Sequence, residues 1–465
     1  HQAAGVSIPG RQVIDAMRLV RYGPERYEDR RLDTVATAVL GVGKTESATD
    51  EAKLERLEAL YRDDPAEFCR YCLVDSELVL RILAKTGLLE LTIMRCLLIG
   101  IALNRAWTSI SAFEFLYIEG LHADGLVAPT VGVDPLPLDE APGGAILTPH
   151  PGLFRNVFVF DFKSLYPSII RTFNIDPATL IRGSVSGIGA ERPQAEAHDA
   201  IEAPGGTLFS RKTGILPRLL DRFFDNRQAA KDRGDGTASY VYKIIMNSFY
   251  GVLGARGCRF AGTALAGSIT GFGQHLLRWC RDTLHEAGYR VMYGDTDSLF
   301  VLTDIDDETA AEDVRSLGVS IAEWMNQRIT AYVEERWKVD SRLELEFEKV
   351  YSRFFLPAIR HALPQEELRG RAKGYAGLVL DSGTVEIRGM EAVRSDWTVA
   401  AGEFQRELLR LVFNDADEQE IAEYVRSVAD SLKDGTLDDK LVYSKNLWKG
   451  VSDYASTGPP HVQAA

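Results

Sequence analysis

YRVMYGDTDSLFVLT, residues Tyr289–Thr303, decides how the chain reads. Apolar and β-branched residues flank a polar centre, Gly294-Asp295-Thr296-Asp297-Ser298, the pattern of strand, tight turn and strand. Asp295 and Asp297 sit two apart, so an extended backbone would aim both to one side. Two carboxylates that close repel unless a cation lies between them, and hard divalent cations such as Mg²⁺ take oxygen ligands of this kind. A plain hairpin turn uses the same residue types. More carboxylates, and a place for phosphate, decide between the two.

Working outward, Asn156–Phe160 reads as a second strand that ends in Asp161, with Pro167 opening a helix just beyond. A carboxylate at the end of a strand, before a helix N-terminus, suits metal-bound phosphate. An aspartate capping a turn is the plain alternative. Two helical patterns follow, joined by Gly234–Thr237. The first starts near Pro217 and carries Arg227 and Lys231; the second runs from Tyr240 to Tyr250 and carries Lys243 and Asn247. Each pair is spaced i, i+4 and shares a helix face, so the basic residues could converge on a polyanion or simply be solvated. Leu343–Glu348 alternates with period two, a half-buried strand whose glutamates face away from Leu345 and Phe347, toward the acidic site or, the plainer expectation, toward solvent. An amphipathic helix is expected from Glu308 to Trp337.

With 465 residues the chain has room for roughly three domains. The 45% hydrophobic content is that of a globular protein. No apolar run is long enough to span a membrane, and HQAAGVSIPGRQ is not a signal peptide, so a cytoplasmic location is expected. A net charge of −14 argues against non-specific coating of nucleic acid but leaves room for a local basic cleft. Five cysteines suggest a reducing compartment, and the Cys69-x-x-Cys72 pair falls in a helical pattern, expected as buried helix residues. Asp64-Pro65-Ala66-Glu67 is a capping box whose helix, carrying Tyr71 and Asp75 on one face, should end near Gly87. Gly41–Thr45 imitates the end of a P-loop, but Ala38 stands where glycine is needed and the preceding residues read as helix. Gly183–Gly206 is read as a surface loop.

Three stretches in order, DFKSLYPSII at Asp161–Ile170, KIIMNSFYG at Lys243–Gly251 and YGDTDS at Tyr293–Ser298, resemble the polymerase motifs of family B DNA polymerases. The resemblance extends to APGG at Ala141–Gly144, LEFEK at Leu345–Lys349, KGYAGL at Lys373–Leu378, RGMEAVRSDW at Arg388–Trp397 and LVYSK at Leu441–Lys445. It covers nearly the whole chain.

That resemblance implies an α+β, right-hand polymerase: an antiparallel palm sheet, two-helix fingers, a partial helical thumb, and part of an exonuclease domain at the N-terminus. The boundaries expected are 1–100 for the C-terminal part of the 3′–5′ exonuclease, 101–216 and 258–392 for the palm, 217–257 for the fingers and 393–465 for a truncated thumb. It implies two Mg²⁺ ions on Asp161, Asp295, Asp297 and the Phe162 carbonyl. Arg227, Lys231, Lys243 and Asn247, with the Ser164 and Leu165 amides, would hold the triphosphate, Lys243 also acting as an acid. Tyr166 would stack under the sugar and select deoxyribonucleotides. Lys373, Tyr375 and Lys445 would meet DNA. Ala372-Lys373-Gly374-Tyr375 departs from the family's Lys-Lys-Arg-Tyr, a loss that Arg369 or Arg371 could offset. Tyr71 and Asp75 match the third exonuclease motif; the other two motifs are not found, which implies a fragment of a longer protein. Partners implied are primer–template DNA, deoxynucleoside triphosphates and, through residues beyond this C-terminus, a sliding clamp; no membrane is implied. The rival readings are a polymerase-shaped scaffold without activity, which nucleotide binding would separate, and a nuclease, which a single exonuclease motif disfavours.

Overall fold

A computed structural model describes residues 8–27, 29–42, 50–131, 143–182, 199–359, 370–394 and 397–442. Expectations that fall on Lys44, Ala141, Pro142, Arg369 and Lys445, and on most of the Gly183–Gly206 loop, lie outside the described residues. In chain order the helices are α1 (Ala16–Tyr22), α2 (Leu32–Leu40), α3 (Asp50–Asp63), α4 (Pro65–Thr86), α5 (Leu88–Ile99), α6 (Ser109–Ala123), α7 (Leu165–Thr172), α8 (Ile215–Asp232), α9 (Gly236–Leu253), α10 (Thr263–Glu286), α11 (Ala311–Trp337), α12 (Val399–Phe413) and α13 (Glu418–Lys433). The strands are β1 (Ile146–Leu147), β2 (Gly152–Phe162), β3 (Leu180–Arg182), β4 (Ile201–Glu202), β5 (Leu208–Phe209), β6 (Arg290–Asp295), β7 (Ser298–Leu302), β8 (Leu345–Leu356), β9 (Tyr375–Val379) and β10 (Val385–Arg388). They form two compact units, one of His1–Ala141, Asn174–Ile201 and Thr207–Gly267, the other of Pro142–Phe173, Glu202–Gly206 and Ser268–Ala465. Among the described residues no helix is long and apolar enough to cross a membrane.

The second unit is built on a seven-stranded antiparallel sheet, ordered β1-β6-β7-β2-β8-β9-β10. β2 lies in the middle, and Val157 to Phe160 are all buried because both faces of the sheet are covered. On one face Phe158 and Phe160 meet Phe347 of β8. Helix α11 covers this face; a Cβ on its Gly318 would come 2.4 Å from the Phe347 ring, so glycine is what lets the helix lie so close. Asn326 of α11 fixes the start of β8, donating to the Leu345 carbonyl at 2.9 Å and accepting from the Leu345 amide at 2.8 Å. On the other face Val157, Val159, Tyr293, Phe300, Tyr351 and Phe354 form one core cluster, against which Tyr375 packs.

The first unit is largely helical. Asp64 caps α4 by accepting from the Glu67 amide at 3.0 Å, Pro65 occupies the first turn, and Gly87 ends the helix in the left-handed region (φ 63). These are the start and stop signals read from the sequence. Cys69 and Cys72, however, are exposed. The helix buries Leu78 and Ile82, so its apolar contacts lie on another face. Helices α8 and α9 form a hairpin packed through Phe223, Tyr242 and Phe249. The base of α8 is fixed by two side chains from the preceding loop. Asn174 accepts from the Gly214 amide at 2.8 Å, and the fully buried Asp176 accepts from the Leu216 amide and, at 2.6 Å, from the Tyr117 hydroxyl.

Candidate active site

The strand register carries the three aspartates to one end of the sheet. Asp161 on β2 is opposite Ser298 on β7, and Ser298 is opposite Asp295 on β6. Directly opposed residues project from the same face. On its other side Asp161 is opposite Glu346 of β8, so the row reads Asp295, Ser298, Asp161, Glu346. The glutamates are exposed, as expected, and Glu346 also belongs to the carboxylate face. Lys163 ties them down, its Nζ lying 3.0 Å from Glu344 and 3.2 Å from Glu346. Period two assigned the glutamates to the side opposite Leu345 and Phe347, but could not say which side holds the site.

Asp297 reaches the row by another route than strand alternation. It lies in the two-residue turn between β6 and β7, whose first residue, Thr296, has φ 62. A positive φ at that position is the II′ hairpin geometry, and for a β-branched residue it is strained. Three contacts hold it: the Thr296 amide donates to the Ala145 carbonyl at 2.8 Å, its hydroxyl to Asp295 Oδ1 at 3.0 Å, and Gly144 leaves room that a Cβ would fill 2.7 Å from Oγ1. The Asp297 carbonyl accepts from the Phe162 amide at 2.9 Å, which joins the two aspartate motifs directly.

Neighbouring strands are about 4.8 Å apart, so Asp161 and Asp295, two strands removed, are roughly 10 Å apart at the backbone. Accordingly, among the described residues no three His, Cys, Asp or Glu side chains cluster tightly enough to hold a metal ion. The cradle expected from sequence is a row with a turn beside it rather than a closed cluster. Lys373 supplies the positive charge at Asp295, with Nζ 2.7 Å from Oδ1 and 2.8 Å from Oδ2. Its own amide donates to the Tyr293 hydroxyl at 2.9 Å, and that hydroxyl donates to Asp295 Oδ2 at 3.2 Å. Burial pushes the Asp297 carboxyl above the usual carboxylate range; Asp295 and Glu348 push it further, against the opposing pull of its own backbone amide and Lys373. An open cleft of about 330 Å³ lies over these groups, walled by Asp295, Asp297 and Lys373 and by the rings of Tyr293, Phe300 and Tyr375.

The loop that delivers Lys373 depends on close backbone contact. Lys373 has φ 58, and Gly389 (φ 57) lies so near that a Cβ on it would stand 1.7 Å from the Lys373 carbonyl oxygen. Arg371 of this segment is held on the same loop. Its guanidinium is committed to Glu391 at 2.8 Å and to the Gly389 carbonyl at 3.2 Å. Tyr375 packs among Tyr293, Phe300, Tyr351 and Phe354 at the cleft floor.

After Asp161 the chain turns through Ser164 (φ 50) into α7, where Leu165 is buried and Tyr166 half-buried. The first amides of a helix have no intrahelical acceptor and point outward. Lys231, Lys243 and Asn247 are exposed on the α8–α9 hairpin and Arg227 is half-buried there. These four residues, with the half-buried Tyr71 and Asp75 of α4, belong to the first unit, whereas the aspartates belong to the second. Sequence reasoning missed Tyr293 as a member of the site, and left Glu346 between solvent and the acidic site. Tyr293 stands two residues before Asp295 on the same strand face, and that spacing could have found it.

Residues 112–465 match DNA polymerase family B, and the chain belongs to that family. Within it the chain is similar to DNA polymerase II of Escherichia coli (strain K12), 37% identical over 461 residues, which cover 98% of this chain and 56% of that protein. DNA polymerase 2 of Aeropyrum pernix and the DNA polymerase of Thermococcus gorgonarius are each 30% identical over 70% of the chain, covering 37% and 39% of those proteins. The chain thus spans a little over half of the first relative and less of the others.

Proposed function

We propose that this chain carries the synthetic centre of a DNA polymerase, adding deoxynucleoside triphosphates to a primer 3′-hydroxyl under direction of a template. The observation that carries the reading is the register that sets Asp161, Ser298 and Asp295 side by side, with the Asp297 carbonyl on the Phe162 amide. The printed names of the relatives, all DNA polymerases, support it. In this reading the seven-stranded sheet is the palm, α8 and α9 are the fingers, α12 and α13 begin the thumb, and Tyr71 and Asp75 remain from a 3′–5′ exonuclease domain.

The donor set fits Mg²⁺. It consists of hard carboxylate oxygens, the ligand type such a cation takes. Asp161, Asp295 and Asp297, with the Phe162 carbonyl, would hold two ions. When bound, Mg²⁺ lowers the pKa of the attacking hydroxyl and neutralises charge on the triphosphate. The chain's own residues do the rest. Arg227, Lys231 and Lys243 bind the triphosphate, and Lys243 gives a proton to the departing pyrophosphate. Asn247 and the Ser164 and Leu165 amides orient the phosphates, and Tyr166 lies under the sugar, where a 2′-hydroxyl would not fit. Lys373 and Tyr375 meet the primer–template.

The test is primer extension by Asp297→Asn with Mg²⁺ present. Extension should fall by at least a hundredfold, the scale of a lost electrostatic group in a transition state. Extension at the parent rate would refute the assignment.

A further inference from the structure

On the sheet face opposite the aspartates, α11 carries Trp324, Arg328, Tyr332 and Arg336, each four residues from the last. Such residues form one stripe along a helix, and its two arginines are about 12 Å apart with a ring between them. The Arg328 guanidinium lies over the Trp324 ring at 5.5 Å, and Arg336 lies over Trp337 at 5.0 Å. From α10, Trp279 stacks on Tyr332 with ring centres 4.3 Å apart and planes 11° apart. His275 Nε2 is 2.7 Å from the Tyr332 hydroxyl. Arg278 of α10 donates to the Gln274 side chain at 3.3 Å. All these residues belong to the second unit.

Three exposed arginines lie together on this face. The chain has a net charge of −14, and Arg155, Arg315, Arg353, Arg371 and Arg410 each sit on a carboxylate. Among the described residues no ion pair is recorded for Arg278, Arg328 or Arg336, and all three are exposed. Trp279 and Trp324 each keep part of their surface in solvent. Guanidinium groups without a carboxylate partner, alternating with aromatic planes, match the two recurring demands of an unpaired nucleic-acid strand: cations along its phosphates and flat surfaces for its bases. A duplex hides its base faces and would gain only the charge.

We infer that the outer face of α10 and α11 binds single-stranded DNA, at a site separate from the carboxylate cleft. This goes beyond the polymerase reading and does not depend on it. The test measures binding of fluorescein-labelled oligothymidylate to the full chain by anisotropy across a salt series. Arg328→Glu/Arg336→Glu should weaken binding at least tenfold. Neutralising two phosphates contributes a slope of about 1.4 in log affinity against log salt for single strands, and that much should be lost. Trp324→Ala should weaken binding severalfold with the slope unchanged, since it removes a stacking plane and no charge. Melting curves that match the parent confirm folding. Parent-like affinity in both stripe variants overturns the inference. So does an equal loss of duplex binding, or displacement of the oligonucleotide by polyglutamate at matched charge, which would mark the stripe as a site for acidic polymers in general.

Discussion

Gly389→Ala tests how the Lys373 loop is held. Two costs are expected, and a second glycine separates them. An L-residue in the left-handed region costs about 1–2 kcal/mol, offset by about 0.4–1 kcal/mol because alanine restricts the unfolded chain. Gly383 in the β9–β10 turn has φ 62 and open space around its missing Cβ, so Gly383→Ala should show this net cost alone, about 1 kcal/mol. Gly389 has nearly the same φ, but its Cβ would fall 1.7 Å from the Lys373 carbonyl oxygen, half an ordinary contact distance. That backbone must move, and forced repacking adds about 1–3 kcal/mol. Gly389→Ala should therefore lose about 2–4 kcal/mol in urea unfolding followed by tryptophan fluorescence. It should also displace Lys373 from Asp295, so primer extension measured on the folded protein should change in Gly389→Ala and not in Gly383→Ala. Equal losses in the two variants, within about 0.5 kcal/mol, would refute the close-contact argument.

Two further perturbations address the sheet. Asn326→Leu removes both hydrogen bonds to Leu345 and leaves backbone groups at the start of β8 unpaired; a loss of about 1–3 kcal/mol is expected, and hydrogen exchange at Leu345 should accelerate. Burial alone would raise Glu386, but the Tyr351 hydroxyl and the Lys349 ammonium outweigh it and hold the carboxyl below the ordinary value of 4.5. A depressed carboxyl stabilises the fold above its unfolded pKa, and the contribution is lost as pH falls. Glu386→Gln should therefore be less stable than the parent at neutral pH, by up to about 1 kcal/mol for this partly exposed pair, and the gap should close as pH is taken below 4.5. A gap that does not change with pH would contradict the ion pair.

Local signals in the sequence carried well where neighbours in the chain determine the outcome. The Asp64–Glu67 capping box, the Gly87 stop and the Tyr289–Thr303 hairpin all depend on residues within one turn of each other. The place of Asp161 was legible because the apolar run Val157–Phe160 leads into it, although the strand continues to Phe162. The side of the sheet to which Glu346 belongs was not legible, since alternation fixes two faces without naming them. Asp297 escaped the alternation argument because Thr296 takes a left-handed φ that no period announces. Lys373 was read as a residue for DNA; its grip on Asp295 comes from a loop whose path depends on Gly389, a contact that no spacing rule encodes. The exposure of Cys69 and Cys72 shows the same limit: periodicity shows which residues share a face, while packing decides which face is covered.

The hydrogen bond from the Phe162 amide to the Asp297 carbonyl has a consequence for how the protein forms. It closes a loop containing the whole of the first unit's α8–α9 hairpin and all of α10, so it arises only when distant segments have found each other. Pairings of such long range are slow to establish, and while they are absent the acidic residues remain scattered along the chain. In a half-folded molecule Asp161 therefore stands apart from the Asp295–Asp297 turn, and the carboxylate row arrives with the completed sheet rather than before it.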